Sequence, residues 1–260
     1  MNIYQNNGKN RGDGMDKLVA NHISVQFGQK AVLKDVTVTL NEGEIISVLG
    51  VSGSGKSTLF NVIAGLIEPT EGKVYLNGQD ITYQTGHVSY MLQKDMLLPY
   101  KTILQNVALP LIIRGNGRKQ AYETARNYFG IFGLTGTENV YPNELSGGMR
   151  QRAAFLRTYL FSDEVALLDE PFSALDAITK NRLHEWYLDI MQQIKLSTFF
   201  ITHDIDEAIK LSNRIYILGG QPATIVKELV ISEPHPRSRE FLLSMEFLNY
   251  KKEILSYLDK

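Results

Sequence analysis

The chain has 260 residues, of which 43% are hydrophobic and 21% are charged, a balance typical of a globular protein with a sizeable buried core. Its 27 basic and 28 acidic residues are interspersed and give a net charge of -1, which disfavours nucleic acid and anionic membrane surfaces as partners. The absence of cysteine excludes disulfides, zinc-thiolate sites and thiol nucleophiles. The purely apolar runs are far shorter than the about 18 residues of a spanning helix, so we expect that the chain itself does not cross a membrane.

The first 40 residues predict a loose tail followed by an antiparallel strand pair. Residues 1–16 are rich in Asn, Gly, Lys and Asp and contain few apolar side chains. Alternation of apolar and polar residues then predicts strands at residues 23–27 and 36–40, with a turn at Gly28. Phe27 ends the first strand, where its ring could stack on an adenine with about 1–3 kcal/mol; taken alone, a core phenylalanine is the simpler interpretation.

A strand, a glycine loop and a helix then follow one another. Residues 45–49 are a short apolar run, residues 50–55 form a flexible crossing, and helical spacing begins at Ser57. The glycines let backbone N–H groups point inward, and the helix adds its positive N-terminal end, so this order predicts a phosphate cradle. Lys56 can reach the outer phosphates, and the Ser57 hydroxyl can bind Mg²⁺. The predicted nucleotide-binding residues here are Gly50, Val51, Ser52, Gly53, Ser54, Gly55, Lys56, Ser57 and Thr58.

Two later strands are predicted to deliver single polar residues. A buried strand at residues 87–92 stops at Gln93, and another at residues 198–202 stops at His203. Ligands of α/β sheets bind at the carboxyl ends of strands, so Gln93 can reach a metal or an attacking water. A neutral His203 can hydrogen-bond a γ-phosphate or that water. A surface glutamine is the alternative interpretation of Gln93.

Helices dominate between these strands, and one of them begins with a second candidate anion site. Residues 102–105 fit a capping box, and residues 118–132 have helical apolar spacing. Ser146 is followed by Gly147 and Gly148 at the start of a helix, where backbone N–H groups can bind an anion. A structural helix cap explains Ser146 but not the paired glycines.

A continuous apolar strand at residues 165–168 ends in two acids. Asp169 can join a Mg²⁺ shell, and Glu170 can take a proton from an attacking water. An Asp-Glu pair is usually a solvated surface feature, but delivery by an apolar strand favours the functional interpretation. A loop at residues 173–176 then leads into a long helix at residues 177–195. A closing hairpin and one amphipathic helix at residues 237–258 complete the chain.

Together these motifs resemble one family, the ATP-binding subunits of ABC transporters, over nearly the whole chain after Asp16. In the family's order they are Phe27 in the aromatic loop, residues 50–57 as Walker A, Gln93 as the Q-loop, residues 145–152 as the signature, residues 168–170 ending Walker B, residues 173–176 as the D-loop, and His203 as the switch histidine. The resemblance implies an α/β fold: a P-loop NTPase core with a parallel sheet, an antiparallel β subdomain and an inserted helical subdomain. It places one ABC ATPase domain at residues 17–260, with the core and β subdomain at 17–93 and 164–230, the helical subdomain at about 94–163 and the C-terminal helix at about 237–258.

The resemblance also implies how the site works. Two copies would close head to tail around two Mg-ATP, so that Ser146, Gly147, Gly148 and Asp176 of one copy complete the cradle of the other. The implied catalytic residues are Glu170, His203, Gln93 and Lys56, and the implied metal ligands are Ser57, Gln93 and Asp169. The implied partners are the second copy, a membrane-spanning permease and, indirectly, a solute-binding protein, at the cytoplasmic face of the cell membrane; nucleic acid is not among them.

Details of the motifs are similar to those of bacterial importers of nitrate, sulfonate and taurine, whose relatives carry thiamine-precursor pyrimidines. They include the Met149 signature variant and residues 98–102. The family leads us to expect that residues 93–106 form the groove for a permease helix, although Met96, Leu97 and Leu98 could equally pack inside the helical lobe. The alternatives are a soluble ABC ATPase acting on DNA or ribosomes, an exporter ATPase, and a kinase that shares only the phosphate loop. The first would usually carry a coiled-coil insertion, two cassettes or a basic surface, and the kinase would leave Ser146 and His203 unexplained.

Overall fold

A computed structural model describes residues 16–162, 164–173 and 175–258, and the predicted tail up to Met15 lies outside the described residues. The strands are β1 (Asp16–Phe27), β2 (Lys30–Asn41), β3 (Ile45–Leu49), β4 (Glu71–Leu76), β5 (Gln79–Asp80), β6 (Ser89–Met91), β7 (Val165–Asp169), β8 (Ser197–Ile201), β9 (Arg214–Gly219) and β10 (Thr224–Val230). The α-helices are α1 (Lys56–Ile63), α2 (Ile103–Val107), α3 (Leu109–Ile113), α4 (Arg118–Phe129), α5 (Gly147–Tyr159), α6 (Ala177–Ile194), α7 (Ile205–Leu211), α8 (Arg239–Leu242) and α9 (Met245–Leu258).

The first sheet is antiparallel and has the strand order β2-β1-β4-β5. The predicted pairing of the first two strands is confirmed, with Leu18 opposite Leu40 and Phe27 opposite Lys30. The turn between β4 and β5 consists of Asn77 and Gly78, which both have positive φ (51° and 78°). Asparagine and glycine adopt this conformation at the lowest cost, so they fix the hairpin.

The second sheet carries the predicted site and has the strand order β10-β9-β3-β8-β7-β6. Its strands from β9 to β6 are parallel, and β10 joins the edge in antiparallel orientation. The interior strands β3 and β8 are buried at every position, as expected of parallel strands that are covered on both faces. The parallel arrangement places the carboxyl ends of β3, β6, β7 and β8 along one edge. The predicted α/β fold, with a parallel core sheet, an antiparallel sheet and helices, is therefore confirmed.

Two hydrophobic clusters cover the faces of the parallel sheet. One joins α1 to both sheets and includes Phe60, Leu167 and Phe199, and the other joins α2, α4, α5 and α6 to β7 and β8. The helical segment begins with the predicted capping box, in which Thr102 Oγ1 accepts from the Gln105 N–H at 3.3 Å and Gln105 Oε1 accepts from the Thr102 N–H at 3.1 Å. The subdomain boundaries at about 94 and 163 stay a prediction.

The C-terminal segment differs from the single helix predicted over residues 237–258. Ser238 begins α8, and Ser244 accepts a hydrogen bond from the Phe247 N–H at 3.1 Å as α9 begins. A serine cap starts a new helix, so the prediction of one continuous helix was wrong. Apolar residues of these helices pack with α7, β9 and β10. In the described ranges, no helix combines the length and apolarity needed to cross a membrane.

Candidate functional site

The phosphate loop lies where β3 ends and α1 begins. Gly55 precedes α1 with a φ of 92°, a left-handed conformation that favours glycine. Gly50 also has no room for a side chain, because a Cβ there would lie 2.7 Å from the Leu218 carbonyl oxygen. The loop therefore passes close to β9, and its last residue, Gly55, lies directly before the first turn of α1.

Lys56 is buried within this loop. Its Nζ donates to the carbonyl oxygens of Gly50 at 2.8 Å and Val51 at 2.9 Å. Burial lowers the pKa of Lys56, although Glu170 and Asp169 attract its positive charge and oppose the shift. The ammonium group thus lies beside the loop and can bind phosphate oxygens in exchange for these two carbonyl groups.

Asp169 at the end of β7 faces the start of α1. The Ser57 hydroxyl donates to Asp169 Oδ2 at 3.4 Å, and the Tyr90 hydroxyl also hydrogen-bonds this carboxylate. Burial and the adjacent charge of Glu170 raise the pKa of Asp169, and Ser57, Lys56 and Tyr90 offset only part of that effect. Two neighbouring carboxylates and a hydroxyl are groups that suit a hydrated magnesium ion, because a divalent cation would offset the repulsion between the carboxylates.

Glu170 connects the predicted residues Gln93 and His203. Gln93 Nε2 donates to Glu170 Oε2 at 2.9 Å, and His203 Nδ1 lies 3.1 Å from Glu170 Oε1. The Glu170 backbone has a φ of 46°, which is unusual for a residue with a side chain and is common at functional sites. Its N–H donates to the Ile201 carbonyl on β8 at 3.0 Å, which ties the Glu170 backbone, just after β7, to the neighbouring strand. The structure therefore brings Gln93, Glu170 and His203 together.

These residues surround one cavity of about 550 Å³ at the carboxyl edge of the parallel sheet. The phosphate loop and the start of α1 contribute six of the predicted residues, and Asp169, Glu170, Gln93 and His203 also line the cavity. The predicted residues from this loop that line the cavity are Ser52, Gly53, Gly55, Lys56, Ser57 and Thr58. Val51 and Ser54 line a neighbouring cavity instead. Phe27 is 51% exposed at the end of β1 and does not line either cavity, so its predicted role in base stacking stays a prediction.

The signature residues lie at the start of α5, outside the phosphate loop. Ser146 begins α5, and its hydroxyl oxygen accepts from the Met149 N–H at 3.3 Å. A Cβ on Gly147 would lie 3.2 Å from the Leu175 side chain, and one on Gly148 would lie 3.3 Å from the Thr179 side chain, so both glycines face the start of α6. Within the described part of the chain, residues 145–152 contribute nothing to the lining of the 550 Å³ cavity. The two predicted anion sites therefore do not share this cavity, and Gly147 instead lines an adjoining cavity of about 660 Å³ together with Gln93, Glu170 and His203.

Asp176 also acts within its own chain. Its Oδ1 accepts from the N–H groups of Ile178 and Thr179 at 3.1 and 3.0 Å and so caps α6. Hydrogen bonds from Thr179 lower the pKa of Asp176. The side chain is exposed, and the predicted contact across a dimer stays a prediction.

Sequence reasoning missed three residues around the site: Tyr90, Lys180 and Asp204. Tyr90, on β6, hydrogen-bonds Asp169. Lys180 Nζ donates at 2.7 Å to Oδ2 of Asp204, the residue that follows His203. One signal was available for Asp204, because Asp followed three residues later by Glu207 is the pattern of a helix N-terminus. The contacts of Tyr90 and Lys180 join residues far apart in sequence, so no local sequence pattern predicts them.

Comparison with known proteins gave matches over most of the chain. The family model described as ABC transporter matches residues 33–173. The chain is 44% identical over 215 residues to the formylaminopyrimidine import ATP-binding protein ThiZ of Halalkalibacterium halodurans, covering 83% of this chain and 84% of that protein. It is 40% identical over 237 residues to the nitrate import ATP-binding protein NrtD of Synechocystis sp., covering 89% of each. It is 39% identical over 241 residues to the aliphatic sulfonates import ATP-binding protein SsuB of Bacillus cereus, covering 93% of this chain and 94% of that protein.

Solved structures gave matches of the same kind. The dimeric structure of MJ0796, a bacterial ABC transporter cassette, has a TM-score of 0.69 at 29% identity and covers 82% of this chain and 98% of that chain. The structure of cbiO1 from Clostridium perfringens, part of an ABC transporter complex, has a TM-score of 0.77 at 19% identity, which is a likeness of fold. It covers 92% of this chain and 99% of that chain.

Proposed function

Because this chain belongs to the family of ATP-binding subunits of ABC transporters, we propose that it hydrolyses ATP to power the import of a small solute through a membrane-spanning partner. The observation that carries the proposal is the position of Glu170. Its carboxylate lies between Gln93 Nε2 at 2.9 Å and His203 Nδ1 at 3.1 Å, and all three residues line the cavity that contains the phosphate loop. A carboxylate in this position can take a proton from a water that attacks a bound phosphate.

Each wall of the cavity has a separate task in this reaction. The backbone of residues 50–55 and Lys56 bind the phosphates, which fixes them relative to Glu170. Ser57 and Asp169 would hold Mg²⁺, with the Gln93 amide as a further ligand, and the ion would supply positive charge to the β- and γ-phosphates. Neutral His203 has one N–H, which can either hold Glu170 in place or donate a hydrogen bond to the γ-phosphate. In this way Glu170 accepts the proton while Lys56 stabilises the negative charge.

We further propose that two copies share each nucleotide. In a single copy Ser146, Gly147 and Gly148 do not line the 550 Å³ cavity, and we infer that their hydrogen-bond donors reach its phosphates from a second chain. The MJ0796 cassette, which is 29% identical to this chain, was solved as a dimer, and this supports the pairing of two copies. Removal of one donor to a transition-state charge typically lowers the rate by about 10²–10³-fold, so a single copy lacking the partner's donors is expected to be nearly inactive.

The helical segment contributes to a candidate docking site for the membrane-spanning partner. An apolar groove of about 420 Å³ is lined by residues that include Leu66, Met96, Ile113 and Phe161. Within the predicted segment 93–106, Met96 is 56% exposed and lines this groove, whereas Leu97 is 7% exposed and packs in the helical core. We propose that a helix of the permease packs against this groove, which would hold the chain at the cytoplasmic face of the membrane.

The names of the relatives suggest a class of solute. They specify formylaminopyrimidine, nitrate and aliphatic sulfonates, which are all small and polar. We propose a solute of this class, selected by the permease and a solute-binding protein rather than by the ATPase. The near-neutral charge of the chain supports the prediction that nucleic acid is not a partner.

The direct test is ATP hydrolysis by the purified protein with and without Mg²⁺. We expect phosphate release that rises more than linearly with protein concentration, because the active form is a dimer. Chelation of the metal should abolish the release, and readdition of Mg²⁺ should restore it. Transfer of phosphate to a second substrate, or release that is unaffected by chelation, would contradict the proposal.

A further inference from the structure

A cluster of charged and polar side chains, buried at its Glu207 end, joins the helices that follow the D-loop and His203. Lys180 on α6 donates from Nζ to Asp204 Oδ2 at 2.7 Å and lies 3.2 Å from Glu207 Oε2. His184, one turn further along α6, places Nε2 at 3.2 Å from the same Glu207 oxygen. The side chains of Glu207 and His184 are only 2% and 4% exposed. A buried carboxylate needs a charged or hydrogen-bonding partner, so Lys180 and His184 hold α7 against α6.

The cluster contacts the turn that carries His203. Asp204 Oδ1 accepts from the N–H groups of Asp206 and Glu207 at 3.0 and 3.1 Å and so caps α7, while its Oδ2 binds Lys180. The Asp204 N–H donates to Thr202 Oγ1 at 3.0 Å. The His203 side chain is 64% exposed, so its position depends on this backbone turn more than on packing. Lys180 therefore fixes the residue next to His203.

The same cluster also contacts the segment that follows Glu170. The ring of Phe172 packs edge to face against the ring of His184, with 4.6 Å between their centres. Phe172 is 3% exposed, and it follows Glu170 by two residues. One set of buried contacts thus reaches both members of the pair in which Glu170 Oε1 lies 3.1 Å from His203 Nδ1.

We propose that Lys180 is a positioning residue that keeps Glu170 and His203 in the relative position that ATP hydrolysis requires. Without the Lys180 ammonium, the carboxylates of Asp204 and Glu207 would repel each other at the start of α7, and the turn at His203 would shift. Reactions that depend on orientation lose rate steeply when a group is displaced by about 1 Å. The proposal rests on the proposed ATPase function, because Glu170 and His203 act together only if the chain hydrolyses ATP.

The test compares Lys180→Met with Lys180→Arg and with Arg182→Met, a control that removes a positive charge from the exposed face of the same helix. We expect Lys180→Met to lower kcat by about 10–100-fold and to leave the affinity for a fluorescent ATP analogue unchanged, because the phosphate loop is untouched. Lys180→Arg should recover most of the rate, and Arg182→Met should have no effect. Circular dichroism melting of each variant checks that the protein is folded at the assay temperature.

A double-mutant cycle with His203→Ala separates positioning from a general loss of structure. If Lys180 acts through His203, Lys180→Met should lower kcat much less in the His203→Ala background than in the wild type. An equal loss in both backgrounds would overturn the proposal. If Lys180→Met does not fold, Asp204→Asn takes its place, because it breaks the link to the turn and leaves Lys180 beside Glu207. If the wild type hydrolyses ATP and a folded Lys180→Met or Asp204→Asn variant keeps the full kcat, only the positioning role is refuted. If the wild type itself has no ATPase activity, the proposed function is refuted as well.

Discussion

Replacement of Glu170 by Gln tests the assignment of the catalytic base. The glutamine has nearly the same shape, and its amide can accept from Gln93 Nε2 and donate to a neutral His203 at the positions where the carboxylate oxygens now lie at 2.9 and 3.1 Å. The geometry of the site should therefore be kept, and what is lost is the ability to take a proton. Loss of a general base typically lowers the rate by about 10²–10⁴-fold, which corresponds to about 3–5 kcal/mol in activation free energy.

Nucleotide binding should survive this change. Lys56 and Ser57 are unaltered, and removal of one of two adjacent carboxylates lessens the repulsion that raises the pKa of Asp169. We therefore expect Glu170→Gln to bind Mg-ATP and to accumulate as a dimer that hydrolyses its nucleotide very slowly. Phosphate release measures the rate, and size-exclusion chromatography with light scattering measures the dimer. Glu123→Gln, on the exposed side of α4, is the matched control. Hydrolysis by Glu170→Gln at close to the wild-type rate would refute the assignment of the base.

Two further predictions concern stability and docking. The pKa of Asp204 is lowered, because its bonds to Lys180 and to the α7 N–H groups outweigh the effect of burial. Ionised Asp204 therefore stabilises the fold above its unfolded pKa of about 3.9. This contribution to stability is lost as the pH falls through the lower folded pKa. The difference in melting temperature between wild type and Asp204→Asn should accordingly be constant near neutral pH and shrink in acid, and a difference that does not depend on pH would contradict this linkage. Ile113→Glu, in the apolar groove, should weaken co-purification with the permease and leave ATP binding intact. Ile131→Glu, exposed outside the groove, should change neither property, and an equal loss of co-purification in both variants would argue against the groove.

Local sequence patterns were sufficient for the elements of the fold. The strands that lead to the glycine loop at residues 50–55 and to Asp169 can each be predicted from a short local sequence, and the structure contains both as predicted. The capping box at Thr102 is another such case. The one C-terminal helix that was predicted is two in the structure, because apolar periodicity continues across Ser244 while the serine itself begins a new helix.

Contacts between distant segments could not be read in the same way. That Gln93 and His203 both reach Glu170 follows only once the strand order is known, because β6, β7 and β8 must be neighbours. Lys180 illustrates the limit further, since it belongs to an ordinary helix pattern and acquires its role from α7, 24 residues away in the sequence. The position of Phe27 shows the converse: its exposure at a strand end fits base stacking, yet it does not line the cavity in this structure.

The central claim, that two copies each supply half of a nucleotide site, is tested most directly by mixing two inactive variants. Lys56→Ala removes the phosphate-binding ammonium, and Ser146→Arg blocks the signature, so each variant alone should be inactive. A mixed dimer has one site with both defects and one site with neither, and random exchange should restore about a quarter of the wild-type ATPase. No recovery in a mixture shown to contain mixed dimers would contradict the claim, because it would mean that the two motifs act within one chain.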